Sequence, residues 1–196
     1  EPTILTASTS GNGALCFGSC DGSATLSVNG GTVPYNYQWS DPASQTSSTA
    51  TGLCTGTVNV TVADLNNCTV SSGYTVSQPL ALFAATSGND ALCNGVCNGN
   101  ATVVASGGTG TYTYLWDDPN SQTNSVATGL CAGNVNVIVT DLNACTSAAA
   151  YTVNQPAGIV LATSSVPATC GNPDGQAIVT VSGGIGPYTY LWNPPA

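Results

Sequence analysis

Cysteine and aspartate carry nearly all the reactive chemistry of this sequence. It has nine Cys and nine acidic residues, all Asp except Glu1, against no Lys, no Arg and no His, for a formal net charge of -9. That inventory removes most catalytic schemes. Without His, Lys or Arg there is no imidazole base, no Schiff-base amine and no cation to hold an oxyanion, and the abundant serines have no partner to activate them. Two carboxylates can act as acid and base, as in glycosidases. The only adjacent pair is Asp117 and Asp118, in an expected turn, and the matching stretch earlier in the chain has Ser40 and Asp41 there. The chain therefore reads as a non-enzyme. Calcium favours carboxylate and carbonyl oxygens, which makes Asp41, Asp64, Asp118 and Asp141 the candidates for a metal. No loop has the dense D-x-D-x-D spacing of a strong site, and Asp or Asn beside Pro, Leu and Asn more often shapes a turn through side-chain to backbone bonds. No cofactor is expected, Ca2+ being the one weak candidate. Asn59, Asn67 and Asn100 begin N-x-S/T sequons, a common accident in a chain this rich in Asn and Thr.

The cysteines are spaced CxxxC at Cys16 and Cys20 and again at Cys93 and Cys97, with the others tens of residues away. Zinc sites are usually built from CxxC pairs or from Cys with His, so disulfides are the better reading, and they place the chain in an oxidising, extracellular or cell-surface setting. A chain without cations cannot neutralise phosphates, which excludes nucleic acid and anionic membrane surfaces as partners of its side chains. No apolar run approaches the roughly 18 to 20 residues that span a bilayer. The sequence starts at Glu1, has no Met and stops at "LWNPPA", so a signal peptide, sorting signal or anchor is expected outside this segment.

These residues belong to a repeat. Cys16, Cys20, Trp39, Cys54, Cys68 and Pro79 recur, each displaced by 77, at Cys93, Cys97, Trp116, Cys131, Cys145 and Pro156, and a third copy starts at Cys170 without its second cysteine and continues to Trp192. A period of 77 exceeds a solenoid coil of about 20 to 50 residues and suits a small domain. The expected domains are 1–79, 80–156 and an incomplete 157–196. Within each, the hydrophobic period is two: Ala24, Leu26 and Val28; Tyr35, Tyr37 and Trp39; Val58, Val60 and Val62. That alternation predicts half-buried antiparallel strands, and "NGGTVP", "SDPASQ", "TGLCTG" and "DLNN" predict the turns between them. About seven short strands with this punctuation predict an all-β fold of tandem immunoglobulin-like β-sandwiches, with Trp39, Trp116 and Trp192 as core residues packed between the sheets. "VSQPL" and "VNQPA" leave almost no linker, and proline restricts both itself and the residue before it, so the repeats are expected to join stiffly, end to end, as a rod.

The stretch "CNGVCNGNATVVASGGTGTYTYLW" followed by "ATGLCAGNVNVIVTDLNACT" resembles the SprB repeat of Bacteroidota surface proteins, in particular the repeats of the gliding-motility adhesin. The CxxxC opening, Gly-Gly turn, Tyr-x-Tyr-x-Trp strand, GLC turn and Asp-Leu-Asn-x-Cys hairpin occur in order over two full copies and the front of a third. The resemblance implies a long exposed filament at the cell surface, exported by the type IX route. It also bears on the cysteines, for which four per copy allow three pairings. Repeats of this kind lose the second and third cysteines together, which implies Cys20 with Cys54 and Cys16 with Cys68, then Cys97 with Cys131 and Cys93 with Cys145, and gives Cys170 a partner beyond Ala196. In a plain sandwich Cys20 and Cys54 fall at the same end but Cys68 at the other, which sets the second pairing against the expected topology.

Three functions fit. The first is a non-catalytic, repetitive stalk of a surface adhesin, whose partners are the neighbouring repeats of the same chain. The second is a structural fibre or sheath whose copies associate laterally. The third is a carbohydrate-binding module for surface polysaccharide, which requires aromatic side chains at the surface.

Overall fold

The alternation of apolar and polar residues becomes strands in both full copies, and no helix forms among the residues described, 3–193 of this computed structural model. The first copy contains β1 (Thr6–Asn12), β2 (Gly22–Asn29), β3 (Asn36–Trp39), β4 (Thr49–Leu53), β5 (Gly56–Ala63) and β6 (Thr69–Val76). The second contains β7 (Phe83–Asn89), β8 (Gly99–Ser106), β9 (Thr113–Trp116), β10 (Val126–Leu130), β11 (Gly133–Thr140) and β12 (Thr146–Val153), and the third contributes β13 (Val160–Val166) and β14 (Gln176–Ser182). Cα packing divides the chain into two compact units: Glu1–Ala84 with Ala105–Thr113 and Val139–Ser147, and Ala85–Val104 with Tyr114–Ile138 and Ala148–Ala196.

Each full copy is a pair of three-stranded antiparallel sheets, ordered β1-β2-β4 and β3-β5-β6 in the first and β7-β8-β10 and β9-β11-β12 in the second. This is the immunoglobulin strand order reduced to six strands where about seven were expected. The missing strand would lie between β3 and β4, where residues 40–48 instead fold into a loop gathered by the Asp41 carboxylate. Between the sheets the two-residue period is explicit. Ala24 and Leu26 of β2 and Ala50 and Leu53 of β4 face Trp39 of β3, Val58, Val60 and Val62 of β5 and Val76 of β6 to form the core. Trp39 and Trp116 are each 1% exposed. Each indole N–H donates to a carbonyl in the loop that follows, Ser47 at 2.7 Å and Asn124 at 2.8 Å. Burial therefore strands no donor.

The Gly-Gly turn is required by the close passage of the incoming chain. Gly30, Gly107 and Gly183 have φ between 73° and 77°. A Cβ on any of them would lie 2.0 Å from a carbonyl oxygen of the segment leading into the copy, that of Ile4, Ala81 or Gly158. Only glycine meets both demands. The second glycine then donates its N–H to that segment, Gly31 to Thr3 at 2.9 Å and Gly108 to Leu80 at 2.9 Å. The first tyrosine of the aromatic strand closes the turn, with the Tyr35 and Tyr112 hydroxyls donating to Gly30 and Gly107 carbonyls at 2.6 and 2.7 Å.

The third copy differs. Its β13 and β14 form a two-stranded hairpin, and Tyr188, Tyr190 and Trp192 follow it in non-strand backbone. Trp192, expected in a core, is 54% exposed. Trp39 lies against the β5 valines, whereas no strand occupies that place in the third copy among the described residues.

Candidate functional site

The cysteines follow from the topology. Gly22 pairs with Leu53 and Gly56 with Val76, which places the β1–β2 loop, the β4–β5 turn and the end of β6 together. Cys20 and Cys54 meet there and form a disulfide, as Cys97 and Cys131 do in the second copy. These are the two pairs that the resemblance implies.

The other two implied pairs do not form. Cys16 lies in the same β1–β2 loop, whereas Cys68 lies in the β5–β6 turn at the opposite end of the sandwich, beside Ala63 and Thr69. Eight residues of β5 at about 3.3 Å each separate the two by roughly 25 Å, far beyond the Cα separation of about 4.4 to 6.8 Å that a disulfide tolerates. The same distance separates Cys93 from Cys145 in the second copy. Cys16 is bonded instead to Cys145, the counterpart of Cys68 one repeat later, with Cα atoms 5.8 Å apart and 129 residues between them in sequence. Cys68 and Cys93 are exposed thiols, as is Cys170.

Both ends of the Cys16–Cys145 bond are held within the first compact unit. On the Cys16 side, the Ala14 N–H donates to the Ser77 carbonyl at 2.8 Å, the Gly18 N–H to Gln78 Oε1 at 2.8 Å and the Leu15 N–H to Asp21 Oδ1 at 3.0 Å. On the Cys145 side, Asp141 Oδ1 accepts the N–H groups of Asn143 and Cys145, both at 2.9 Å. Asn143 Nδ2 then donates to the Leu15 carbonyl at 3.0 Å, beside the bond. Its counterpart in the first copy, Asn66, turns to Thr32 Oγ1 at 3.1 Å.

The four aspartates considered for calcium are turn organisers. Asp64 accepts from the N–H groups of Thr32, Asn66 and Cys68 at 2.9 to 3.0 Å, and Asp141 from Thr109, Asn143 and Cys145 at 2.8 to 2.9 Å. Asp41 accepts from the Ala43 and Gln45 N–H groups and from Gln45 Nε2, and Asp118 from the matching groups of Asn120 and Gln122. Burial alone would raise the carboxyls of Asp41, Asp64 and Asp118, but the converging donors outweigh it and hold these three below the ordinary carboxylate range. Their oxygens are engaged by the chain itself. No group of three Cys, Asp or Glu among the described residues is placed to hold a metal. Asp117 and Asp118 also diverge, Asp117 reaching the Asn136 N–H at 2.7 Å while Asp118 faces its own loop.

Two sets of residues escaped the sequence reading. Gln45 and Gln122 each donate Nε2 to a strand carbonyl, Thr51 or Thr128 at 2.9 Å, and accept that residue's N–H on Oε1, which rivets the β3–β4 loop to β4 and the β9–β10 loop to β10. Gln78 and Gln155, read only as residues before proline, hold the tips of the cysteine loops through Gly18 and Gly95, both at 2.8 Å. The one available signal was the recurrence of each glutamine at the period of the repeat.

In the second unit, an open apolar trough of about 520 Å³ lies on the third copy, lined by residues including Leu161, Val179, Val181, Tyr188 and Trp192. No helix of the described residues is long and apolar enough to cross a membrane.

No curated protein is similar to the chain at a significant level. Among solved structures it is similar to one described as a tetra-tandem repeat in the extending region of a large adhesion protein, with 12% identity over 91% of this chain and a TM-score of 0.26; the chain spans 62% of that structure's length. The SprB repeat family matches at residues 14–44, 85–121 and 162–196, each match beginning ahead of a cysteine opening and reaching the aromatic strand. With three matches in tandem that take in just over half of its residues, the chain belongs to the SprB repeat family.

Proposed function

We propose that this chain is a non-catalytic spacer from the stalk of an extracellular Bacteroidota adhesin of the gliding-motility type, exported by the type IX route, whose repeats supply reach while a ligand is bound elsewhere. The observation that carries this reading is the tandem SprB repeat itself. Supporting it, each full copy spends its tryptophan on its own core, with Trp39 and Trp116 each 1% exposed, which leaves no indole platform for sugar stacking in the two complete sandwiches. The three disulfides fit an oxidising, extracellular location. The absence of cations and the net charge of -9 suit an exposed surface that stays soluble and does not stick.

The test is made in the whole protein on living cells. Removing one complete period, residues 80–156, should leave surface display and attachment intact while bringing the distal part of the protein closer to the cell, as read by immunogold distance. Loss of attachment with display intact refutes the spacer reading, as does saturable binding of the purified chain to surface polysaccharide.

A further inference from the structure

We infer that the Cys16–Cys145 disulfide is a tension lock spanning the junction between repeats, so that a load applied to the ends of the chain bypasses the junction and strands β2 to β11 and reaches only β1 and β12 of the two complete sandwiches. The bond joins the β1–β2 loop of one copy to the β11–β12 turn of the next, and everything between, including Gln78 and Pro79 at the junction, lies inside the closed loop of 129 residues. Force entering at Cys16 leaves at Cys145 through a covalent bridge whose Cα atoms are 5.8 Å apart. The strands within the loop carry none of it. Only residues 1–15 and 146–196 remain available to stretch.

Pairing within each repeat would behave differently. Bonds from Cys16 to Cys68 and from Cys93 to Cys145 would lock each sandwich singly and leave residues 69–92 to extend, adding about 80 Å at roughly 3.5 Å per residue. The observed pairing places the lock where tandem domains are otherwise weakest, at their connection. The local contacts brace it, since Asn143 donates to the Leu15 carbonyl beside the bond and Asp141 and Gln78 fix the two backbones that carry it. Cys93 and Cys170 stand at the repeat position of Cys16, and Cys68 at that of Cys145, so any array of these repeats offers each first cysteine the fourth cysteine of the following copy.

The use of the lock as a load path rests on the spacer reading above, but the lock itself does not, and force on the purified chain tests it alone. The exposed thiols of Cys68, Cys93 and Cys170 are first alkylated and the chain is tethered by its two termini in a force spectrometer. The oxidised protein should gain length only from the segments outside the loop. The sequence separation across the bond is 129 residues. A phosphine reductant should then release about 450 Å more, the contour of that loop at roughly 3.5 Å per residue. In the C16S/C145S variant the two inner loops, each closed across a separation of 34 residues, stay shut. Subtracting twice 34 from 129 leaves 61 to be freed without reductant. At roughly 3.5 Å per residue that is about 210 Å. An oxidised wild-type chain that lengthens as far as the double variant overturns the proposal. Should the variant not fold, the wild type before and after reductant carries the measurement, together with peptide mapping by a protease that cuts at aromatic and leucine residues. A Cys16–Cys145 peptide is expected there, and a Cys16–Cys68 or Cys93–Cys145 peptide overturns the proposal.

Discussion

Replacing Cys20 and Cys54 by serine opens a loop of 34 residues in the first sandwich without removing a core side chain. On chain-entropy grounds, closing a loop of that length withholds roughly 13 cal/mol/K from the unfolded ensemble, or about 4 kcal/mol at about 25 °C. A domain of this size has a net stability of only about 5 to 15 kcal/mol at most, and small ones lie at the low end. The double variant should therefore lose most of the stability of its first sandwich while the second stays near its wild-type value.

The tryptophans make this measurable copy by copy. Trp39 is buried in the first sandwich and Trp116 in the second, whereas Trp192 is half exposed. With Trp116 and Trp192 changed to Phe, urea unfolding followed by fluorescence reports the first sandwich, and with Trp39 and Trp192 changed it reports the second. The midpoint for the first should fall by about 1.3 to 4 M at an m-value of roughly 1 to 3 kcal/mol/M, or the sandwich should already be unfolded in buffer. A loss below about 1 kcal/mol would show that native contacts, rather than restriction of the unfolded chain, carry the contribution of this bond, and would refute the reasoning.

Trp39→Ala should cost about 3 to 5 kcal/mol because it empties the centre of a close-packed core. Trp192 is 54% exposed, and its change to Ala should stay within about 0.5 kcal/mol; thermal melts compare the two. Asp64→Asn replaces one acceptor oxygen by a donor where three backbone N–H groups converge. At least one is left unpaired and about 1 to 3 kcal/mol is lost, read by chemical denaturation. The depressed carboxyls of Asp41, Asp64 and Asp118 give a defined pH dependence. Their contribution is complete above the unfolded value of about 3.9 and disappears as pH falls through the lower folded values. Melting temperature should hold from about pH 7 to about pH 4 and drop below it, and a continued rise down to about pH 2 would contradict this. Since the chain has no side-chain cation, added salt screens only repulsion, and melting temperature should be level or rise between about 50 mM and about 500 mM NaCl; a fall would be inconsistent with this charge inventory.

The fold was largely legible because its signals are local. Val58, Val60 and Val62 alternate with Asn59 and Thr61, and an alternation of that kind has a single burial solution. The Gly-Gly turn and the aromatic strand announce each other within five residues, through the Tyr35 and Tyr112 hydroxyls on the Gly30 and Gly107 carbonyls. The Cys20–Cys54 pair also follows once the strand order is known, since both residues flank paired strand ends. What the sequence concealed were relations between segments far apart in the chain. Nothing in the first copy taken alone shows that Cys16 reaches past Cys68 to its equivalent one repeat further on, because repeats identical at these positions make partners within a copy and between copies indistinguishable. The seventh strand was overcounted for a related reason. "SDPASQTSS" has the polarity of a loop or an edge strand, and the choice falls to the Asp41 carboxylate, whose three donors become visible only when folded.

A chain of this composition must replace the ion pair at every point where other proteins use one to fix a loop. The carboxylates of Asp41, Asp64, Asp118 and Asp141 do so by gathering two or three N–H groups each, which satisfies charge with dipoles of the backbone they organise. That solution stays within one copy: Asp64 gathers N–H groups two and four residues ahead and that of Thr32 in the Gly-Gly turn, which fixes two turns of its own sandwich but does not tie one repeat to the next. Long-range ties are left to sulfur, and the division of labour is visible in one turn, where Asp141 sets the backbone of Cys145 and Cys145 makes the bond 129 residues away. It follows that loss of the Asp141 carboxylate should loosen the lock without touching either cysteine. In Asp141→Ala, the Asn143 and Cys145 N–H groups lose their acceptor, and the Cys16–Cys145 bond should be reduced faster by a limiting phosphine than in the wild type, while Cys20–Cys54 keeps its rate. Equal rates for the outer bond in the two proteins would mean that the disulfide holds its turn without help from the carboxylate, and that the local and long-range devices work independently.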